Sequence, residues 1–81
     1  MKIELLFFAS ARDLAGTTGA TLEVPDGADI AALVRQAVLQ YATLAPVAAS
    51  ARFARNEEFV PQDTPLQDGD QVAWLPPMSG G

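Results

Sequence analysis

The sequence predicts an α+β fold in which one main helix packs on one face of a mixed sheet of about four to five strands. Apolar residues alternate near both ends of the chain, which is typical of half-buried strands. Between them lies a single apolar stripe with helical spacing. Glycine, proline, asparagine and aspartate stand at the junctions, where turns are expected.

The first two strands are predicted at residues 2–8 and 19–24, paired as a hairpin. Residues 9–14 between them are expected to form a short helical turn, which Gly16 ends. The main helix then begins after Asp29, whose side chain suits an N-cap. Its apolar stripe consists of Ile30, Leu33, Val34, Ala37, Val38 and Tyr41.

Leu39 points away from the helical stripe, and Pro46 marks the far limit of the helix. No motif is recognisable in residues 41–53, so this segment is compatible with helix, loop or both. Later strands are predicted at 51–55, 59–60 and 71–75, separated by a turn at Asn56 and a turn-rich stretch at 64–70. The order β-β-α-β-β-β with one helical crossover is the β-grasp arrangement.

The chain has 81 residues, enough for one domain with a modest core. We expect this domain to span 1–75, followed by an extended, flexible tail at 76–81. Cysteine and histidine are both absent, which excludes disulfides, thiolate nucleophiles, imidazole bases and the usual zinc sites. Serine and threonine remain, without a histidine to activate them, so neither a catalytic centre nor a stably bound cofactor or metal is expected.

The net charge is −5, and the five basic residues form no run. A surface that follows nucleic-acid phosphates is therefore not expected, and a protein partner with a basic face is favoured. No apolar run reaches the roughly 18 residues of a membrane span, and Glu4 interrupts any signal-like segment at the start of the chain. These features predict a cytoplasmic protein.

Four sequence features together match a known family. They are Phe7-Phe8-Ala9 at the end of the first strand, Arg12-Asp13-Leu14-Ala15-Gly16, the segment from Leu66 to Pro77, and the final Gly80-Gly81. With them the chain resembles, over nearly its whole length, the small subunit of molybdopterin synthase. That family consists of sulfur carriers with the ubiquitin-like β-grasp fold.

The resemblance implies a chemical role for the carboxylate of Gly81. An enzyme similar to ubiquitin-activating enzymes adenylates it with ATP, and a persulfide donor converts it to a thiocarboxylate. The carrier then gives its sulfur to cyclic pyranopterin monophosphate while bound to the large synthase subunit. The implied assembly contains two small and two large subunits. In this scheme the chain donates sulfur and has no catalytic machinery of its own.

The C-terminal tail fits this role physically. Gly80 and Gly81 lack a Cβ, so they fit a narrow cleft in a partner. Prolines favour an extended exit that rises roughly 3.1 Å per residue, which would hold the reactive end clear of the domain. The predicted tail comprises Pro76, Pro77, Met78, Ser79, Gly80 and Gly81.

A partner interface is also predicted. Strand alternation turns Phe8 and Leu75 away from the core, and the first and last strands are neighbours in a β-grasp sheet. Phe59 lies in the short strand expected to border them, and the matching family positions contact the large subunit and the activating enzyme. Arg12, in the loop after the first strand, is a further candidate that would pair with an acidic group on a partner.

Two alternative functions remain open from the sequence. One is a sulfur carrier for thiamine thiazole synthesis, although that family usually lacks the segment at 9–19, and the exit through Pro76 and Pro77 suits the molybdopterin branch better. The other is a ubiquitin-like modifier or adaptor without sulfur chemistry. Asp68 and Asp70 are interpreted as turn-stabilising residues, because two carboxylates in a tight turn more often bond to the backbone than to a metal.

Overall fold

A computed structural model describes residues 1–77 of the 81. None of the helices in this part of the chain is long and apolar enough to cross a membrane. The elements in chain order are β1 (Lys2–Phe7), α1 (Ala9–Ala15), β2 (Gly19–Glu23), α2 (Ile30–Gln40), a 3₁₀ turn (Ala42–Leu44), α3 (Ala45–Ala48), β3 (Arg52–Arg55), β4 (Glu58–Val60) and β5 (Gln71–Leu75).

The five strands form one mixed sheet in the order β2-β1-β5-β3-β4. The central strands β1 and β5 run parallel, whereas every other neighbouring pair is antiparallel. The sequence prediction that the first and last strands are neighbours is therefore correct. Phe7 lies opposite Trp74 in this central pair, and the prediction that Trp74 belongs to the core is confirmed by its complete burial.

The main helix follows the predicted pattern. The Asp29 side chain accepts a hydrogen bond from the Ala32 amide at 2.9 Å, as expected of an N-cap. The buried residues of α2 belong to the predicted stripe, and Leu39 is 79% exposed. The helix ends at Gln40 because Tyr41 leaves the helical region of φ and ψ. Pro46, the predicted far limit of this helix, lies beyond its end, in the first turn of α3.

The segment that the sequence left open, residues 41–53, contains the 3₁₀ turn, α3 and the start of β3. Leu44 is fully buried within it, and the Phe53 ring lies 5.1 Å from the Trp74 ring. Five alanines between residues 42 and 51 give this stretch little contrast between apolar and polar positions, so hydrophobic periodicity could not identify its elements.

Side chains of the turn before β5 bond to the backbone. Asp68 accepts a hydrogen bond from the Lys2 amide at 2.7 Å, which joins this turn to β1. Asp70 accepts one from the Gln67 amide at 2.8 Å and another from the Asn56 side-chain nitrogen at 3.0 Å. These bonds fix the start of β5, the strand that leads to the tail, and both aspartates stabilise the turn as predicted.

The β3–β4 hairpin predicts a stabilising substitution. Asn56 and Glu57 form its two-residue loop with φ of 49° and 73°, a type I′ turn that favours glycine second. Glu57→Gly should raise the free energy of unfolding by roughly 0.5–1 kcal/mol, because glycine removes a left-handed strain of about 1–2 kcal/mol and loses part of that gain as entropy. Chemical denaturation measures the change. Glu58→Gly removes the same charge from a strand and should destabilise, so stabilisation by both variants would point to charge instead of backbone strain.

Candidate docking site

A row of apolar residues crosses the sheet on the face opposite the core. Leu6 in β1 lies opposite Gly19 in β2 and opposite Ala73 in β5. Ala54 in β3 then lies between Ala73 and Phe59. All five strands contribute one residue, so the row spans the full width of the sheet. A face built this way offers a continuous apolar surface to a protein partner.

A groove of about 250 Å³ lies beside this row, where β5 leaves the sheet. We call it the docking groove. It brings together the three apolar residues that the sequence proposed as partner contacts. Its lining residues are Phe8, Ala9, Arg52, Phe59, Leu75, Pro76 and Pro77.

The register of the central strands explains why Phe8 and Leu75 meet. Phe7 lies opposite Trp74, and the Phe8 amide continues the pairing by donating a hydrogen bond to the Trp74 carbonyl at 3.2 Å. Phe8 is 43% exposed, and Leu75 is less exposed, in the half-buried range. Leu75 is less open than alternation alone predicts, because Arg52 lies directly opposite it in β3.

Local structure gives no reason for a phenylalanine at position 8. Phe8 is the N-cap of α1, a position that favours serine, threonine, aspartate or asparagine, and its side chain makes no capping bond. The next residue, Ala9, has a φ of 50°, a left-handed conformation that costs roughly 1–2 kcal/mol. A locally unfavourable residue next to backbone strain is typical of a functional surface.

Phe59 forms the other side of the docking groove. It lies in the edge strand β4, opposite Ala54, and is 58% exposed. The guanidinium carbon of Arg52 lies 4.6 Å from the centre of the Phe59 ring, within the range of a cation–π contact. Ala54 is buried although it lies on the open face, between Phe59 and Ala73 of the two neighbouring strands.

The tail leaves the sheet directly along the docking groove. Pro76 is half-buried and Pro77 is exposed, and both line it. The exit therefore begins along the surface. The prediction that the prolines hold the reactive end clear of the domain concerns residue 81, which lies outside the described residues. The remaining predicted tail residues, Met78, Ser79, Gly80 and Gly81, lie outside the described residues.

Comparison with known proteins identifies the family. The model described as the ThiS family matches residues 5–81. The chain belongs to the ThiS family. It is 43% identical to the molybdopterin synthase sulfur carrier subunit of Chlamydomonas reinhardtii, and the alignment covers 100% of both chains. This likeness confirms the resemblance to molybdopterin synthase small subunits that the sequence motifs indicated.

Solved structures show the same fold. SAMP1 from Haloferax volcanii matches this ThiS-family chain with a TM-score of 0.90 at 24% identity, over 100% of both chains. A chain in the complex of subunits 1 and 2 of the molybdopterin-converting factor from Helicobacter pylori matches with a TM-score of 0.72 at 26% identity, also over 100% of both chains. The ubiquitin-like β-grasp fold predicted from the sequence is thereby confirmed.

Arg12 and Arg52 occupy different positions relative to the docking groove. Arg12, a proposed partner contact, lies exposed in α1 and does not line the docking groove. Its carbonyl accepts the Gly16 amide at 2.9 Å, and Gly16 ends this short helix as predicted. Arg52 was missed, because only the register of β3 shows that it lies beside Phe59 and Leu75. The one sequence signal for Arg52 is strand alternation: it lies two residues before Ala54 and therefore on the same face of β3, and Ala54 is the residue opposite Phe59.

The docking groove is suited to binding a partner. In the part of the chain that the structure describes, its lining is apolar except for one arginine, so none of these lining residues offers a carboxylate or other base for proton transfer. Among residues 1–77, no group of three acidic side chains is arranged to hold a metal ion. This ThiS-family chain therefore offers an apolar docking surface next to the exit of its C-terminal tail.

Proposed function

We propose that this chain is the sulfur carrier of molybdopterin synthesis and that the carboxylate of Gly81 carries the sulfur. A free carboxylate resists nucleophilic attack because it is already anionic. Adenylation by a partner enzyme with ATP forms an acyl-adenylate and releases pyrophosphate, which gives the acyl carbon a good leaving group. The sulfur chemistry then takes place on the tail, inside other proteins, and needs no base from this chain.

The sulfur steps balance as follows. The terminal sulfur of a protein persulfide attacks the acyl carbon, and the bond from that carbon to AMP breaks. A thiol of the donor protein then reduces the resulting S–S bond, which releases the thiocarboxylate and leaves a disulfide on the donor. The thiocarboxylate sulfur attacks a carbon of cyclic pyranopterin monophosphate, and a carbon–oxygen bond at that carbon breaks, its oxygen leaving as water or on the opened phosphate. Hydrolysis of the acyl–sulfur bond then leaves the sulfur on the pterin and restores the Gly81 carboxylate. Two such transfers build the dithiolene.

The docking groove is the observation that carries this proposal. Three apolar side chains, Phe8, Phe59 and Leu75, line it together with the two prolines of the exit. A partner seated on these side chains holds the tail at its root, so that the terminal carboxylate enters the partner's cleft at a fixed distance. An adaptor that binds through its sheet alone gains nothing from an apolar site at the tail.

The proposal includes specific partners. The likeness to a chain in the Helicobacter pylori complex of two molybdopterin-converting factor subunits supports docking on a large synthase subunit. We further propose an assembly of two small and two large subunits, and an adenylating enzyme similar to ubiquitin-activating enzymes. All of these partners would meet the carrier in the cytoplasm.

Intact mass tests the proposal directly. The protein purified from cells that also make its activating enzyme should gain the mass that corresponds to one oxygen replaced by sulfur, and fragmentation should map the gain to Gly81. The same preparation without the activating enzyme is the control. An unmodified mass, together with no ATP-dependent adenylate on mixing the carrier with an enzyme active on another carrier, would contradict the proposal.

A further inference from the structure

Arg52 stands out among the basic residues of the chain. Of the residues that the structure describes, it is the one basic residue that lines the docking groove, and its guanidinium lies against the Phe59 ring. Within residues 1–77 the structure shows no carboxylate within salt-bridge distance of it. By contrast, the Arg55 guanidinium donates a hydrogen bond to the Pro65 carbonyl at 2.9 Å, and Arg35 lies on α2, along a separate apolar groove.

The contact with the Phe59 ring leaves donors of the exposed Arg52 guanidinium available. In a cation–π contact the planar group lies over a ring, while its N–H groups point outward in its own plane. These donors form a rigid fork that matches the two oxygens of a carboxylate. The contact with Phe59 also restricts the rotamers of Arg52, so less conformational entropy is lost when a carboxylate binds.

A partner that binds the docking groove must also compensate for the water that Arg52 loses. The groove is otherwise apolar, so docking there removes water from the Arg52 guanidinium. A charge that loses its water without an opposite charge strongly disfavours binding. The partner must therefore supply an acceptor at this point, and a carboxylate is the one that both pairs the charge and fits the fork.

We propose that Arg52, held against Phe59, pairs with a carboxylate side chain of the large synthase subunit and fixes the orientation in which the carrier docks. This inference rests on the proposed function. The carrier has a net charge of −5 and favours a partner surface that is basic overall. One acidic group within that surface, facing Arg52, would mark a single docking register and reject carriers that lack a cation there.

The test is the dissociation constant for the large subunit of the same organism, measured by calorimetry at low and high salt. Arg52→Glu should weaken binding at least about tenfold, because it places two negative charges together in a desolvated groove. Arg52→Gln keeps most of the stem and should weaken binding by about threefold to tenfold. Arg35→Glu makes the same charge change on α2, away from the groove, and should alter binding less than about twofold.

Two further results belong to the expected pattern. The affinity of the wild type should fall more steeply with salt than that of Arg52→Gln, since the variant has lost the proposed ion pair. Phe59→Leu keeps an apolar side chain but frees the guanidinium. Combined with Arg52→Gln, it should weaken binding less than the product of the two single effects, because both variants remove the same held guanidinium.

The result that overturns the inference is distinct from failure of the proposed function. If wild-type carrier binds the large subunit and accepts sulfur, but Arg52→Glu binds within twofold of it, the inference is wrong and the function stands. If Arg52→Glu and Arg35→Glu weaken binding equally, the effect is one of net charge, and the inference is again wrong. If the wild type itself neither binds nor accepts sulfur, the proposed function fails. Thermal unfolding of each variant checks that the fold is kept.

Discussion

A carrier that lacks Gly81, or that has one residue added after it, is expected to lose nearly all sulfur transfer while unfolding at the same temperature as the wild type. Either change moves the terminal carboxyl group along the chain by roughly 3.3–3.6 Å. A misplacement of about 1 Å at a reacting group can cost around 100-fold in rate, so a loss of at least about 100-fold is expected. The last strand ends at Leu75, so we expect the unfolding temperature not to depend on residue 81.

The measurements are the intact mass after incubation with the activating enzyme, ATP and sulfur donor, and the product formed with the large subunit. Ser79→Ala changes the tail without changing its length and should behave like the wild type. Normal transfer from the extended chain, shown by mass to remain untrimmed, would falsify the mechanism. Loss of transfer accompanied by a lower unfolding temperature would place residue 81 in the fold, contrary to the prediction.

The main elements could be predicted because each had its own sequence signal. Asp29 and the stripe after it defined α2, and alternation at both ends of the chain defined the central strands. Trp74 was correctly placed in the core because it shares a strand face with Val72. The segment at 41–53 lacked such a signal. Its burial of Leu44 depends on tertiary packing, which a run of alanines does not reveal.

The candidate site was predictable in part, for a different reason. Alternation within one strand shows which face Phe8 and Leu75 occupy, and the β-grasp order places their strands together. The contact between Arg52 and Phe59 depends on the register between β3 and β4, which no local pattern encodes. The left-handed φ of Ala9 could not be predicted either, because positive φ is uncommon for alanine and the sequence gives no signal for it.

Phe8 provides the sharpest separation of binding from stability. Phe8→Asp is expected to raise the dissociation constant for the large subunit at least about 30-fold, which corresponds to roughly 2 kcal/mol, because a charge would enter an apolar docking groove. The free energy of unfolding should change by no more than about 0.5 kcal/mol. Phe8 is the N-cap of α1 without a capping bond, and an aspartate there can accept one from the first-turn amides.

Leu39→Asp is the matched control, since it makes a similar apolar-to-acidic change on the exposed side of α2, away from the sheet. It should leave binding within about twofold of the wild type. Equal weakening by both variants would mean that added negative charge, and not the docking groove, governs binding. A large drop in the unfolding temperature of Phe8→Asp would instead assign Phe8 to the core. Weak binding with full stability in Phe8→Asp alone identifies the aromatic ring as a contact that exists for the partner and not for the fold.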